Sequence, residues 1–265
     1  MCFLILVEFL KNRKEESALV LTLDNPPVNA LNLKVFDELQ AEIAQGEADP
    51  EIRGIVITGS GNNAFCAGAD LKVMQGLQPE EAEKVVRAGH RAFNAIENSS
   101  KPVIAAINGL TLGGGNELAM SCDVRYASDR ARFGQPEVNL GLIPAWGGTQ
   151  RMPRLVGKAK AKELIFSGQI INAQEALRIG LVNKIVPDGE ELRASIDYVR
   201  TLTAKTSPLA VAQAKWAINE GLQKNSISEG LEVEVKAVGI LASSDDLREG
   251  IEAFFSKRPP KFTGK

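Results

Sequence analysis

The chain has 265 residues, of which 44% are hydrophobic and 24% charged, a composition that suits one large folded domain or a domain with a small appendage. Its formal net charge of −2 gives no sign of the strongly basic surface that is typical of nucleic-acid-binding proteins. The three cysteines, Cys2, Cys66 and Cys122, lack the number and spacing of a disulfide or zinc framework, and a single histidine excludes a histidine-rich metal site. We therefore expect a cytoplasmic protein that binds no metal.

The opening ten residues, MCFLILVEFL, are apolar but too few to cross a membrane. No basic residue precedes them, as one would in a signal peptide, and Glu8 follows quickly. This segment predicts a buried first strand. Because no apolar run approaches the length of a membrane span, the sequence predicts no membrane partner.

Short apolar runs then alternate with helical periodicity. The runs predict strands at residues 18–23, 54–58, 102–107, 123–128 and 181–187. Apolar residues spaced three and four apart predict a helix over residues 33–43, and Pro79 begins a second helix that reaches about Ser99. The alternation predicts an α/β core.

From about residue 190 to residue 256 the pattern is helical throughout, with breaks at residues 207–208, 225–226 and 243–244. We expect two regions: a core over residues 1–190 that holds the active site, and a helical C-terminal region over residues 191–265. Residues 226–242 are rich in Val, Ile and Leu, which predicts subunit contacts. Packing of this segment on the chain's own core is the alternative.

Most familiar catalytic signatures are missing from the sequence. It has no phosphate-binding loop and no nucleophile elbow, and Leu118 stands where a dinucleotide fingerprint needs its third glycine. His90, the single histidine, lies in a polar helical pattern, which disfavours a serine or cysteine nucleophile paired with histidine. The remaining candidates for catalytic groups are backbone N–H groups beside glycines and carboxylate side chains.

Two glycine-bearing loops, residues 64–72 and 108–118, each follow a predicted strand and precede a predicted helix. Glycine allows close backbone approach and a helix N-terminus presents free N–H groups, so two such loops side by side would form an oxyanion hole. Glu117 stands in the first turn of the second helix, and Glu137 follows a later strand. Alternatively, each loop is an ordinary turn and each glutamate an ordinary surface residue.

Five stretches together closely resemble the crotonase superfamily and, within it, the enoyl-CoA hydratase branch. They are NPPVNALN (25–32), AFCAGADL (64–71), residues 101–128, residues 133–157 and INAQEALRIGLVNKIVP (171–187). The resemblance covers nearly the whole chain. It implies an α/β fold built as a crotonase-type spiral of strand–strand–helix turns. It also implies that the C-terminal helices form a homotrimer, which in relatives often pairs into a homohexamer.

The resemblance implies that the substrate is a 2-trans-enoyl thioester of coenzyme A, which gains water to become a 3-hydroxyacyl thioester in fatty-acid or related acyl-CoA degradation. The family's oxyanion hole falls on the N–H groups of Ala69 and Gly114, and its two catalytic glutamates fall on Glu117 and Glu137. We assign Glu117 mainly to the water and Glu137 mainly to the proton at C2. No metal or cofactor is implied besides the coenzyme A of the substrate.

Further residues fall near the coenzyme in this resemblance. Those in positions that contact the coenzyme or the thioester in relatives are Ala67, Asp70, Leu71 and Lys72. Lys257 occupies a position from which some relatives contact the nucleotide part of a coenzyme bound to a neighbouring subunit. Alternatively, Lys257 belongs to a solvated tail. Trp146 occupies a position where many hydratases carry a small residue, and it either reshapes the acyl pocket or covers the core. The acyl chain length therefore stays open.

Two other functions remain as alternatives. One is another crotonase-type reaction, such as isomerisation of the double bond or decarboxylation. Isomerases of the superfamily commonly keep one of the two glutamate positions, so the presence of Glu117 and Glu137 together favours hydration. The other is a protein that binds coenzyme A thioesters or RNA without turnover, which the intact glutamate pair and the lack of a basic surface disfavour.

Overall fold

The computed structural model describes residues 8–265, so Cys2 and most of the predicted first strand lie outside the described residues. The strands are Leu10–Glu15 (β1), Ala18–Leu23 (β2), Gly54–Gly59 (β3), Ala64–Cys66 (β4), Val103–Ile107 (β5), Leu110–Leu112 (β6), Val124–Ser128 (β7), Arg132–Gly134 (β8), Ile171–Asn172 (β9) and Lys184–Val186 (β10). The α-helices are Leu33–Ala48 (α1), Leu71–Met74 (α2), Pro79–Asn98 (α3), Gly114–Ser121 (α4), Gly148–Val156 (α5), Lys158–Ser167 (α6), Ala173–Arg178 (α7), Glu191–Lys205 (α8), Pro208–Gly221 (α9), Ile227–Ala242 (α10) and Asp245–Phe255 (α11). A 3-10 helix spans Pro136–Leu140.

The larger sheet has the strand order β1-β2-β3-β5-β7-β10, in which β1 and β2 are antiparallel and the other neighbours are parallel. β3 and β5 are buried along their whole length, as expected of parallel strands covered on both faces. One face packs on the main core around Phe36, Leu39 and Phe93. The other face packs on Ile196 and Val199 of α8.

The chain repeatedly adds one strand to the larger sheet, one strand to a smaller sheet, and then a helix. The repeats are β3–β4–α2, β5–β6–α4 and β7–β8 followed by the 3-10 helix. The smaller sheet has the order β4-β6-β8-β9, with β4 and β6 paired in parallel. The predicted spiral of strand–strand–helix turns is confirmed. Because β4 and β6 are parallel neighbours, the loops that follow them leave the sheet side by side.

The predicted strands over residues 18–23, 54–58, 102–107 and 123–128 correspond to β2, β3, β5 and β7. The strand predicted over residues 181–187 is shorter, since only Lys184–Val186 is extended. Leu181 and Val182 instead close the turn after α7, where both N–H groups bind the carbonyl of Ala176 and both side chains are buried. Their apolar character reflects burial in this turn rather than a place in the sheet.

Helices α8 to α11 occupy the region where only helices are predicted, and each predicted break coincides with a helix start. Ser207, Ser226 and Ser244 cap α9, α10 and α11, since each side-chain oxygen accepts a hydrogen bond from a first-turn N–H group. α10 packs mainly on α9 and leaves most of its apolar side chains exposed. Within residues 8–265, no helix is long and apolar enough to cross a membrane.

Candidate active site

A cavity of about 260 Å³ lies between the two glycine-bearing loops, α3 and the segment that follows β8. Its wall is apolar and includes Ala69, Val85 and Trp146. Glu117 and Glu137 are the only ionisable side chains among the described residues that line it. Because an apolar wall excludes water, the few polar groups that reach the cavity act strongly on any charge inside it.

The first glycine-bearing loop is held to the segment that precedes α1. Gly68 has a φ of +97°, a left-handed conformation that favours glycine, and its carbonyl accepts a hydrogen bond from the N–H of Leu31 at 2.8 Å. The N–H of Asp70 donates to the carbonyl of Leu31 at 2.8 Å. Ala69 lies between these two bonds, and its own N–H donates to none of the described residues. The loop thus leaves one unpaired N–H group beside the cavity.

The second glycine-bearing loop supplies another unpaired donor. Gly113 has a φ of +52°, and its N–H donates to the carbonyl of Gly134 at 3.0 Å. Gly114 then begins α4, so its N–H is one of the first-turn donors that lack a partner inside the helix. A β carbon placed on Gly68 would lie 3.5 Å from the nitrogen of Gly114, so the two loops are in contact. The N–H groups of Ala69 and Gly114 therefore lie on adjoining backbone segments at one wall.

Glu117, in the first turn of α4, is buried and is not the surface residue that this position usually holds. Its side chain is 1% exposed, and its Oε1 accepts a hydrogen bond from the N–H of Gly148 at 2.6 Å. Burial and the charge of Glu137 raise the pKa of Glu117 to about 8, although the backbone N–H groups of Gly148 and Trp146 lower it. The carboxyl is consequently able to gain and lose a proton near neutral pH.

Glu137 lies in the 3-10 helix that follows β8, and its half-buried carboxyl lines the same cavity. Burial raises the pKa of Glu137 to about 7. The buried Gln135 amide, oriented with its nitrogen towards these acceptors, donates to the two Glu137 oxygens at 3.1 and 3.2 Å and to the Gly113 carbonyl at 3.2 Å. The amide ties the carboxyl to the loop that carries the Gly114 N–H.

The two carboxyls behave as a pair. Both line one apolar cavity, and the charge of Glu137 raises the pKa of Glu117. Two like charges in such a site disfavour double ionisation, so the protons are lost in steps that belong to the pair. The pair therefore retains a proton close to neutral pH, with one group available as a base and the other as an acid.

The segment that binds Glu117 through Gly148 is anchored to α3. The Nε2 nitrogen of His90 lies 2.6 Å from the Ala145 carbonyl oxygen, which can only accept, so this nitrogen donates. Arg151 donates to the Trp146 carbonyl at 3.2 Å and binds the Glu97 carboxylate through Nε at 3.0 Å. His90 is thus a structural contact of the site rather than a partner of a nucleophile.

The structure brings some of the predicted substrate-contacting residues to the cavity and leaves others outside it. Ala67 and Leu71 line the cavity, whereas Asp70, Lys72 and Lys257 do not. Asp70 caps α2 instead, where its side chain accepts a hydrogen bond from the Lys72 N–H at 3.1 Å. Lys257 is exposed in the turn after α11.

Two functional positions, Gly148 and Gln135, are missing from the residues predicted from the sequence. Gly148 acts through its backbone N–H, which no side-chain pattern reveals. Gln135 precedes Glu137 by two residues, and a lone glutamine after a strand carries no chemical signature. Both lie inside the stretch 133–157, so the resemblance of that stretch is the one sequence signal that could have indicated them.

Comparisons with known proteins identify the family of the chain. A family model described as enoyl-CoA hydratase/isomerase matches residues 13–265. A crotonyl-CoA hydratase of Syntrophomonas wolfei is 45% identical over 95% of this chain and 96% of its own length. A short-chain-enoyl-CoA hydratase of Clostridium acetobutylicum is 44% identical over 92% of this chain and 94% of its own.

Solved structures give the same result for the fold. The crystal structure of an enoyl-CoA hydratase from Bacillus anthracis superposes with a TM-score of 0.92 at 37% identity, covering 97% of this chain and all of that one. A second structure, from Geobacillus kaustophilus, has a TM-score of 0.94 at 32% identity and covers 98% of both chains. The crotonase-type fold inferred from the sequence is confirmed, and the chain belongs to the enoyl-CoA hydratase/isomerase family.

Proposed function

We propose that the chain is an enoyl-CoA hydratase, which adds water to a 2-trans-enoyl thioester of coenzyme A to give the 3-hydroxyacyl thioester. The observation that carries this proposal is the pair of Glu117 and Glu137, whose pKa values are raised to about 8 and about 7 in one apolar cavity. The relatives named for hydration of crotonyl and short-chain enoyl thioesters support the same reaction. The pathway we propose is fatty-acid or related acyl-CoA degradation.

In the proposed reaction, the N–H groups of Ala69 and Gly114 hold the thioester oxygen, where negative charge grows as an enolate forms. The reacting form of the pair is the one in which Glu137 holds the shared proton, although the higher pKa of Glu117 makes the opposite form the more populated one. Ionised Glu117 then takes one proton from water while the water oxygen bonds to C3. The C2–C3 π electrons move into the enolate, which then collapses as C2 takes the proton of neutral Glu137. Return of a proton from Glu117 to Glu137 restores the starting state, so the net change is the addition of one water.

Coenzyme A enters this mechanism only as part of the substrate, and no step requires a metal or a redox cofactor. Ala67 and Leu71 would contact the thioester end, since both line the cavity. Asp70, Lys72 and Lys257 are proposed to contact the coenzyme outside the cavity, Lys257 across a subunit boundary. The buried free thiols of Cys66 and Cys122 support a reducing, cytoplasmic setting.

A panel of enoyl thioesters, followed by loss of the conjugated chromophore, tests the proposed function. We expect 2-trans-butenoyl-CoA to lose its absorbance and to yield 3-hydroxybutanoyl-CoA, because both proton-transfer groups are present. Migration of a 3-enoyl double bond without hydration of any 2-enoyl thioester would indicate an isomerase instead. A decarboxylase would require a carboxylated thioester and would release carbon dioxide.

We further propose that the chain assembles as a homotrimer or a homohexamer through its C-terminal helices. On α10, Leu231, Val235 and Val238 are all more than half exposed in the single chain. Phe254 and Phe255 at the end of α11 are 78% and 77% exposed. An apolar surface of this kind on a monomer indicates a protein contact.

Light scattering at micromolar concentration is expected to show a mass of three or six chains. Val235→Lys together with Val238→Lys should shift the mass to smaller species, because burial of unpaired ammonium groups is strongly unfavourable. A wild-type protein that is monomeric and fully active would contradict the assembly.

A further inference from the structure

The indole of Trp146 forms part of the cavity wall, and behind it lies the hydrophobic core. The side chain is 7% exposed and lines the cavity. The rings of Phe36 and Phe93 meet the indole edge to face, with centroids 4.9 and 6.4 Å away. On this side the cavity therefore ends at the Trp146 ring, because the core residues close the space behind it.

Two glycines make room for this ring. A β carbon on Gly89 of α3 would lie 2.4 Å from the Trp146 Cδ1 atom. A β carbon on Gly114 would lie 2.5 Å from its Cε3 and Cζ3 atoms. Both distances are far inside van der Waals contact, so the ring packs directly on the backbone of α3 at one edge and on the backbone of α4 at the other.

The backbone that carries the ring is also fixed. The carbonyls of Ala145 and Trp146 accept hydrogen bonds from His90 and Arg151, at 2.6 and 3.2 Å. The Trp146 Nε1–H group is buried and has no acceptor among the described residues. The indole is therefore held by packing and contributes bulk to the wall rather than a hydrogen bond.

The ring also lies next to the reacting atoms. In the proposed reaction the Gly114 N–H holds the thioester oxygen, and the Trp146 ring packs on the same residue. The acyl chain beyond C3 must extend from this point into whatever space the wall leaves. A four-carbon acyl group ends one carbon beyond C3, whereas longer chains need more of the cavity space that the Trp146 ring bounds on one side.

We propose that Trp146 closes the acyl end of the cavity and restricts this chain to short 2-enoyl thioesters, with Gly89 providing the space that the ring requires. This inference rests on the proposed function, whose substrate class it narrows. One methylene more or less in an apolar pocket changes kcat/KM by roughly 10–200-fold, so a fixed ring is sufficient for strong selection.

The test compares kcat/KM for butenoyl-, hexenoyl-, octenoyl- and decenoyl-CoA within each variant, because a ratio does not depend on the amount of folded enzyme. Wild type is expected to favour butenoyl-CoA over octenoyl-CoA by roughly 10-fold or more. Trp146→Ala should raise the octenoyl-to-butenoyl ratio by roughly 10-fold or more, and Trp146→Phe should raise it less. Trp216→Ala, which truncates the exposed tryptophan of α9, is the matched control and should leave the ratio as in wild type.

Gly89→Ala tests the contact from the other side. Its added methyl group should push the ring towards the substrate and lower kcat/KM for butenoyl-CoA, and Trp146→Ala in the same chain should relieve that loss. If Trp146→Ala folds and keeps the wild-type ratio, or if wild type hydrates octenoyl-CoA as well as butenoyl-CoA, the inference is wrong. Calorimetric binding of saturated butanoyl- and octanoyl-CoA gives the same comparison without turnover, so a failure of the proposed hydration would be seen separately.

Discussion

Glu117→Gln and Glu137→Gln are each expected to lower kcat by roughly 10²–10⁴-fold, the usual range for the loss of a general acid or base. Each substitution keeps the shape of the side chain and removes its ionisable proton. Thioester binding should change much less, because the donors at Ala69 and Gly114 are separate from the carboxyls. The loss of kcat in the double variant should be far smaller than the product of the two single losses. Removal of a proton from water by one carboxyl is of little catalytic value when the other carboxyl cannot deliver a proton to C2.

Glu42→Gln is the matched control for this pair. Glu42 is also a buried carboxyl, 2% exposed, but it lies on α1 and binds the Asn12 amide at 2.9 Å, away from the cavity. This change should affect the melting temperature rather than kcat. An isomerase would give a different pattern, with one of Glu117→Gln and Glu137→Gln abolishing turnover and the other nearly silent. Purely structural glutamates would lose activity and thermal stability together.

Removal of either N–H group of the proposed oxyanion hole is expected to lower kcat by roughly 10²–10³-fold. A backbone ester achieves this without a new side chain: lactic acid in place of Ala69, or glycolic acid in place of Gly114, replaces the N–H with an oxygen. The loss should appear in kcat more than in KM, because the donors act most strongly on the oxygen charge of the transition state.

A backbone ester at Ala131 controls for general effects of the replacement. Its N–H donates to the Ser128 carbonyl at 3.0 Å in a turn outside the cavity, so its loss should cost stability, roughly 1 kcal/mol, and little rate. If the esters at Ala69 and Gly114 reduce kcat no more than the ester at Ala131, these N–H groups do not stabilise the enolate.

The central strands of the larger sheet could be predicted from the sequence because they are covered on both faces and therefore read as continuous apolar runs, unlike the polar edge strand Leu10–Glu15. Val103–Ile107 is buried at every position, and Gly54–Gly59 is as well. The smaller sheet has strands of two or three residues, such as Leu110–Leu112, which are too short to carry a periodic signal. The site loops leave this smaller sheet, so their meeting could be inferred only from the family resemblance.

In the helical C-terminal region, too, local features could be predicted and long-range contacts could not. Serine caps at Ser207, Ser226 and Ser244 give its helix starts directly, because a cap is a local feature of the sequence. Burial of a particular side chain depends on distant segments instead. The sequence alone leaves open whether Trp146 reshapes the pocket or covers the core. In the structure its ring contacts both the cavity and the core residues Phe36 and Phe93.

Glu117 illustrates why chemistry was harder to predict than fold. A glutamate in a first helical turn is usually a solvated residue that complements the helix dipole. Glu117 is buried because every residue of α4 is buried, and its carboxyl accepts a hydrogen bond at 2.6 Å from the N–H of Gly148, which is distant in the sequence. No local pattern encodes that contact. The pairing of Glu117 with Glu137 could therefore be predicted only from the family resemblance of the stretches that contain them.

Product analysis after turnover of 2-trans-butenoyl-CoA in isotopically labelled water tests the account most directly. If Glu117 and Glu137 act on one water as proposed, the labelled oxygen appears as the C3 hydroxyl group, and a solvent hydrogen appears at C2. The Glu117→Gln and Glu137→Gln variants should incorporate both labels at rates lowered by roughly 10²–10⁴-fold. Absence of labelled oxygen at C3 for every acyl chain length, or near-normal incorporation by Glu137→Gln, would contradict it.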